Sequence, residues 1–300
     1  MNKILVTGGS GFIGQRLLSL LPSDRVTLLG RTIPDFFLGQ SEIKCINSVE
    51  NYQSCLVGID VVVHLAAVAH NVSDDPEYID EVNVGGTLNL ASQAIEQGVK
   101  RFIFISSIVV LGEAKRLPFD EKSVAVPHSK YAESKLKAEI ALQELTKETT
   151  LDVVIIRPVL VYGRNAPGNF GKLISLIRIA PILPLGLARN KRSFISIDNL
   201  VDFIKICIDH PNAKNEIFNI SDDYDVSIKE FTSAIADGLS VKRYQLPVPI
   251  FIFRALGTLF DRGDQVEQLV ADLQVDNSKA RRLLNWAPSE TMAQAMNKLS

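Results

Sequence analysis

The chain has 300 residues, 46% hydrophobic and 22% charged, with a formal net charge of −2, which suits one large globular domain or two that share a core. That balance excludes the basic footprint of a nucleic-acid binder. Cys45, Cys55 and Cys207 lack CxxC or Cys/His spacing, so neither a metal site nor a disulfide framework is expected, and no apolar run reaches the ~18 residues that span a bilayer.

The opening MNKILVTGGSGFIG enters a strand at once, with no signal peptide, so the expected location is the cytoplasm. KILVT (residues 3–7) reads as a strand buried on both faces, and VTGGSGFIG then sets Gly8, Gly11 and Gly14 between it and a helix over 12–21. Glycine there permits a tight turn, backbone approach to a pyrophosphate and close packing of helix on strand, while the helix N-terminus offers free N–H groups to the anion. Dinucleotide binding is the expectation; the bland alternative is a glycine turn without ligand. A second strand, RVTLL (25–29), would ordinarily end in an acid for the ribose hydroxyls of NAD, whereas arginine suits the 2′-phosphate of NADP. Gly30 takes the acid's place and Arg31 follows. This favours NADP(H), with NAD(H) as the alternative if Arg31 only stacks on adenine.

Further strands are expected at VVVHLA (61–66), RFIFIS (101–106) and LDVVIIR (151–157), with helices over 76–97 and 130–149. Strand–helix alternation of this kind predicts an α/β fold, a Rossmann-like doubly wound parallel sheet. His64 ends one of these strands and reads as structural. In HSKYAESKLKAE (128–139), Tyr131 and Lys135 lie four apart and share a helix face. A phenol is a poor acid or base at neutral pH unless a cation lowers its pKa. The pair is therefore surface decoration or a tuned proton donor, and spacing alone does not decide.

After Pro158 the rhythm breaks: prolines and glycines cluster to residue 186, RSFISI and NEIFNI suggest two more strands, and the rest is mainly helical. The expected division is a Rossmann domain of residues 1–160 plus about 192–220, and a smaller, mainly helical C-terminal substrate lobe of about 161–191 plus 221–300. PVPIFIFRALGTLF (247–260) is unusually apolar, with Phe251, Phe253 and Phe260 in one short helix. Core packing or a dimer surface is the common use of such a run, and peripheral membrane contact the rarer one.

TGGSGFIG, VVVHLAA, VNVGGTLNL, FISSIVVLGE, YAESK, IIRPVLVYG and RSFISIDNL occur in an order that resembles the extended short-chain dehydrogenase/reductases of the sugar-nucleotide epimerase/dehydratase group, over essentially the whole chain. The later segments (GNFGKLISLI, LPLG, LQVDNSKARRLLNW) resemble bacterial enzymes of surface-polysaccharide sugar synthesis, both reductases of UDP-linked 4-keto-6-deoxy-N-acetylhexosamines and UDP-glucose 4-epimerase-like proteins. The resemblance implies that Tyr131 and Lys135 are catalytic: Lys135 binds the nicotinamide ribose and lowers the pKa of Tyr131, which exchanges a proton with the oxygen on sugar carbon 4. Ser107 falls where the family keeps the Ser or Thr that bonds the same oxygen, and Ser106 is structural. Cofactor contacts are implied at Gly8, Gly11, Phe12, Ile13, Gly14, Arg31, Ile46, Leu65, Ala66, Ala67, Asn83 and Pro158 as well as the catalytic pair. Substrate contacts are implied at Ser107, at Asn169 and Arg192 for the diphosphate, and at Leu185, in LPLG, for the base. A guanidinium fork suits phosphate oxygens; a solvated charge beside Lys191 is the alternative for Arg192. Arg157 and Tyr162 are left open between core and cleft.

Departures narrow the chemistry. The Asp-Glu pair that removes water in 4,6-dehydratases is replaced by Ile108 and Val109, neither of which moves a proton. Cys45 or Asn47, in the third strand KCINS, stands where relatives place an Asp for the adenine, and Leu111 replaces the usual Tyr. Because of Gly30 and Arg31, the expected function is NADPH-dependent reduction at carbon 4 of a UDP-linked 4-keto sugar. The alternatives are a UDP-hexose 4-epimerase with retained NAD and a non-catalytic NADP-binding sensor. A nucleotide sugar is the expected partner, and analogy with the family adds a homodimer through the helices over 76–97 and 130–149.

Overall fold

The computed structural model describes all residues except 70–72, 74, 113–117, 260 and 262. Its strands are β1 (Ile4–Thr7), β2 (Val26–Gly30), β3 (Gln40–Ile43), β4 (Val61–His64), β5 (Arg101–Ile105), β6 (Asp152–Pro158), β7 (Leu160–Tyr162), β8 (Ile182–Leu183), β9 (Phe194–Ser196), β10 (Ile217–Ile220) and β11 (Tyr244–Gln245). The α-helices are α1 (Phe12–Leu18), α2 (Gln53–Leu56), α3 (Pro76–Asp80), α4 (Thr87–Glu96), α5 (Lys130–Glu148), α6 (Gly168–Ile179), α7 (Ile197–Asp209), α8 (Ile228–Gly238), α9 (Ile250–Leu259), α10 (Gly263–Val270), α11 (Ser278–Leu284) and α12 (Met292–Met296).

Successive strand residues point to opposite faces, and the apolar runs exploit both. Ile4, Val6, Val63, Ile103, Ile105, Val154 and Ile156 face one hydrophobic cluster, completed by Leu200, Phe203 and Ile204 of α7. Leu5, Val62, Phe102, Phe104, Val153 and Ile155 face another, covered by Leu90 and Ala94 of α4 and Ala138 and Leu142 of α5. A fully buried Ile, Leu or Phe contributes about 1.5–3 kcal/mol, so this two-sided burial is what fixes the sheet. Seven strands pair in parallel in the order β10-β6-β5-β4-β1-β2-β3. The order reverses between β1 and β4, and the crevice beyond their C-terminal ends is where such sheets bind ligands.

Three local expectations change. The third strand is β3, ahead of KCINS: Lys44 closes the last ladder bond to Gly30 (3.2 Å), after which the Asn47 side chain accepts from Val49 and Glu50 (3.1 and 2.7 Å) and turns the chain. The helix over 76–97 is broken by a π-helical turn, Glu81–Gly86, between α3 and α4. Only Phe194–Ser196 of RSFISI is strand, and it pairs with β7 outside the main sheet, because Ser196 turns to cap α7 by accepting from the Asn199 amide (3.1 Å).

A third cluster lies beyond this point, joining Tyr162, Phe170, Leu183, Leu185 and Phe194 to Phe231 and Ile235 of α8 and to Met292, Met296 and Leu299. Phe194 stacks on Phe231 at 3.8 Å, and Tyr162 meets Phe231 edge-on at 5.6 Å. Phe12, at the start of α1, packs against both this cluster and the first. Among the described residues no helix is long and apolar enough to cross a membrane.

Candidate active site

The glycine loop leaves β1 at the switch point. Gly8 has φ +73°, and a Cβ there would lie 2.6 Å from the Ala66 nitrogen; a Cβ at Gly14 would lie 2.3 Å from the Gly8 carbonyl oxygen. The two crevice loops and α1 therefore touch backbone to backbone, a cradle that any side chain would fill. Gly11 begins α1 without a side-chain cap, so the first amides, at Phe12 and Ile13, are not used by one. These features fit a dinucleotide pyrophosphate. Leu65 and Ala66 close the other wall, donating to the Thr7 carbonyl and hydroxyl oxygens (both 3.2 Å), and Ala67 beside them is exposed.

A buried hydrogen-bond chain, which the sequence did not advertise, holds these loops. Thr87 donates to the Asn83 carbonyl (2.8 Å), so it accepts from His64 Nε2 (2.9 Å); His64 Nδ1 then accepts from the Thr7 hydroxyl (2.8 Å). Burial, helped by the Lys135 charge, holds the imidazole pKa down at about 3, so His64 stays neutral and structural, as expected. Thr87 lies within VNVGGTLNL, but only its buried contact with His64 reveals its role.

Asn83 lies in the π-turn. Its oxygen accepts from the Val68 amide (2.8 Å), and its amide donates to the Val68 carbonyl (3.1 Å) and to Ser134 Oγ (3.0 Å). It thus ties the loop after β4 to α5 between Tyr131 and Lys135. Gly86 sits so close that a Cβ would lie 2.6 Å from Ile46 Cγ2, which sets the π-turn against the loop after β3. In that loop Ile46 is buried and Cys45 exposed. Asn47 spends its oxygen on its own turn. Arg31 is exposed just after β2, and beside it Gly30 has room for a Cβ.

Ser129 caps α5 by accepting from Ala132 (3.2 Å). Lys135, Ala138, Glu139 and Leu142 are then buried at helical spacing, and Tyr131, half-buried, lies one turn before Lys135. Lys135 donates to the Ile105 carbonyl at the end of β5 (2.8 Å), its ammonium lies 4.5 Å from the Phe104 ring centre, and it is 2% exposed. Burial pulls its pKa down to about 7, against the Glu139 charge that raises it. Burial also pushes the half-buried Tyr131 phenol up to about 12. Desolvation of the phenol thus opposes the lowering expected from Lys135, which is itself desolvated and donates to a backbone carbonyl. Ser107 caps the short turn Ile108–Leu111, accepting from Val109 at 3.4 Å, and is half-buried. Ser106 is buried, with its hydroxyl unpartnered among the described residues. Pro158 ends β6, and Arg157 is core, forming a buried bidentate pair with Glu139.

Beyond the sheet, around the third cluster, Asn169 is exposed in the first turn of α6. Its neighbour Phe170 lies 5.7 Å from Phe231, on the ring cluster that holds Phe194, so Asn169 and Arg192 flank the same core. Arg192 is half-buried rather than solvated and donates to the Ala271 carbonyl (3.0 Å); burial lowers its pKa. Leu185 is buried. Of the LPLG backbone groups, the Gly186 amide donates to Leu246 and the Leu183 carbonyl accepts from it (both 2.8 Å), which leaves fewer of them for a base. Tyr162 is core and donates to Asp222 Oδ2 (2.7 Å). Asp222 also accepts from Ser196 (3.1 and 3.0 Å) and Asn199 (2.7 Å), and burial still raises its pKa to about 6. Among the described residues no cluster of His, Cys, Asp and Glu is placed to hold a metal.

A glycine cradle at the switch point, beside a buried lysine and a tyrosine one helical turn apart, defines an NAD(P)-dependent enzyme. The sequence profile of the NAD dependent epimerase/dehydratase family matches residues 4–221. The chain belongs to that family. It is 41% identical over 302 aligned residues to a UDP-glucose 4-epimerase of Vibrio cholerae, covering 97% of this chain and 92% of the relative. It is 31% identical over 264 residues to an N-acetyl-alpha-D-glucosaminyl-diphospho-ditrans,octacis-undecaprenol 4-epimerase of Escherichia coli O157:H7, covering 87% and 79%. Its fold matches that of a UDP-N-acetylglucosamine 4-epimerase from Bacillus cereus with a TM-score of 0.82 at 21% identity, over 100% and 98% of the two chains.

Proposed function

We propose that the protein is a sugar 4-epimerase, acting on a UDP-linked hexose or N-acetylhexosamine and retaining its nicotinamide dinucleotide through each turnover. The likeness to the Vibrio cholerae UDP-glucose 4-epimerase over 97% of the chain carries this reading. It favours the epimerase over the reductase anticipated from Gly30 and Arg31. Ile108 and Val109, which offer no proton-transferring group, weigh against a dehydratase.

A nicotinamide dinucleotide held in the cradle of Gly8, Gly11 and Gly14 would supply a reversible hydride acceptor for sugar carbon 4. Tyr131 takes the proton of the 4-hydroxyl when carbon 4 is oxidised and returns it when the ketone is reduced on its other face, so protons and electrons both balance. Ser107 holds the same oxygen. A phenol near 12 is a weak base at neutral pH, so catalysis needs Lys135 in its charged form to bring it down. Asn83 and Ser134 fix α5 relative to the cradle. Arg192 and Asn169 hold the diphosphate.

The test is to release and identify the nucleotide bound to the purified protein, then offer UDP-glucose and UDP-N-acetylglucosamine without added cofactor. Stoichiometric NAD with interconversion of the 4-epimers is the expected outcome. An empty site with NADPH oxidation on UDP-4-keto sugars would make it a reductase. Tyr131→Phe should keep the nucleotide and lose about 10²–10⁴ in turnover; unchanged turnover would remove Tyr131 from the mechanism.

A lipid-linked diphosphosugar is a second substrate class, supported by the Escherichia coli relative and by an apolar surface on the substrate lobe. We also place a homodimer contact on α4 and α5, where Leu88, Ile140, Ala141 and Leu145 line a shallow apolar groove between Lys137 and Glu144.

A further inference from the structure

The charges of the chain are unevenly spread. No Asp or Glu occurs between Asp152 and Asp198, or between Asp237 and Asp261, whereas Arg164, Lys172, Arg178, Arg189 and Lys191 in the first stretch and Lys242 and Arg243 in the second are basic; Arg254, also in the second, is paired with Glu267. The fold brings these stretches together. β8 and β11 pair in parallel, with Ile182 beside Tyr244, and the Tyr244 amide donates to the Pro181 carbonyl (3.0 Å). The Arg243 guanidinium donates to the carbonyls of Ile177 and Arg178 at the end of α6.

The apolar side chains on this surface turn outward. Ile179 is 82% exposed, Tyr244 72% and Phe251 69%, and Leu176, Ile182, Leu187, Leu246 and Ile252 are also exposed. They are not misplaced core, because their neighbours supply it: Ile177, Leu183, Ile250 and Phe253 pack into the third cluster. α9 therefore divides its residues, Ile250 and Phe253 inward and Phe251 and Ile252 outward. Phe260, the third phenylalanine of that run, lies outside the described residues.

We propose that this face of the substrate lobe docks on an anionic lipid bilayer, with Ile179, Tyr244 and Phe251 entering the interface and Arg178, Lys242 and Arg189 meeting lipid phosphates. Exposed apolar residues interspersed with cations, with no acid in either stretch, have the composition of an interfacial anchor. Attraction to negative lipid headgroups acts through such basic residues and weakens with salt. A second copy of the chain is the poorer occupant, since a two-fold contact would set these cations against their own copies. The surface borders the LPLG segment and so the proposed substrate pocket, but the docking does not depend on which sugar is bound.

The test is co-sedimentation of the full chain with vesicles of phosphatidylethanolamine and phosphatidylglycerol, against vesicles of phosphatidylcholine alone. The protein should pellet with the anionic vesicles, release in high salt, and stay in the supernatant with the neutral ones. Ile179→Glu/Phe251→Glu and, separately, Arg178→Glu/Lys242→Glu should each lower partitioning by about tenfold or more. Bound nucleotide and turnover of a soluble UDP-sugar should be unchanged in both, which shows that they fold and separates this test from that of the epimerase. A wild-type protein that stays in solution with anionic vesicles overturns the proposal. So does Ile179→Glu/Phe251→Glu dissociating an oligomer without changing vesicle binding.

Discussion

Lys135 pays a desolvation penalty that its hydrogen bond to Ile105 only partly offsets. Its folded pKa of about 7 lies below the ordinary lysine value, so between about pH 7 and 10.5 the unfolded chain holds a proton that the folded one has lost. Stability from this group therefore rises with pH across that window and is flat below it. Lys135→Met should remove the rise, seen as a smaller gain in the Tm of the nucleotide-free protein between pH 7 and 10; an unchanged slope would mean that Lys135 is charged in the folded state. The Tyr131–Lys135 pairing was legible in the sequence because i and i+4 share a helix face. The desolvation of Lys135 was not, since burial depends on β5 and Phe104, about 30 residues away in the chain. Arg192 was legible as a charge but not as a group committed in part to Ala271.

α5 is held to the sheet by the Arg157–Glu139 pair, whose side chains are 6% and 1% exposed. A buried pair adds little over an apolar match, but breaking it leaves one charge stranded, at a cost of about 3–5 kcal/mol. Glu139→Gln should therefore lower the unfolding free energy by about that amount, measured by urea denaturation, and should loosen the helix that carries Tyr131 and Lys135. A loss below about 1 kcal/mol would show that water reaches the pair. Strands β1, β2, β4, β5 and β6 were legible because their short apolar runs suit strands buried on both faces, whereas the exposed edge strand β3 carries no such run and was expected too late in the chain. The π-turn was not: its residues keep helical periodicity, and the extra residue is set by Gly86 meeting Ile46 on a different element.

The described residues include a groove on α4 and α5 and, unlike it, the basic, apolar face built by residues 160–197 and 238–260. If the groove joins two copies, Ile140→Glu should give a monomer by sedimentation equilibrium where the wild type has twice the chain mass, with bilayer binding per chain weakened as avidity is lost. A wild type that is monomeric at every concentration would exclude that contact. At this scale the sequence showed which segments build the sheet, while the meeting of residues 160–197 with 238–260 came only from the β8–β11 pairing. The chain passes between the sheet and the third hydrophobic cluster after β6, again where β9 runs into α7, and again after β10, and Asp222 gathers these passages by accepting from Tyr162, Ser196 and Asn199. A cluster threaded in this way cannot be gained or lost by fusing or cutting a gene at one point. New substrates must be reached by substitution within it, one side chain at a time, while the dinucleotide cradle is left intact.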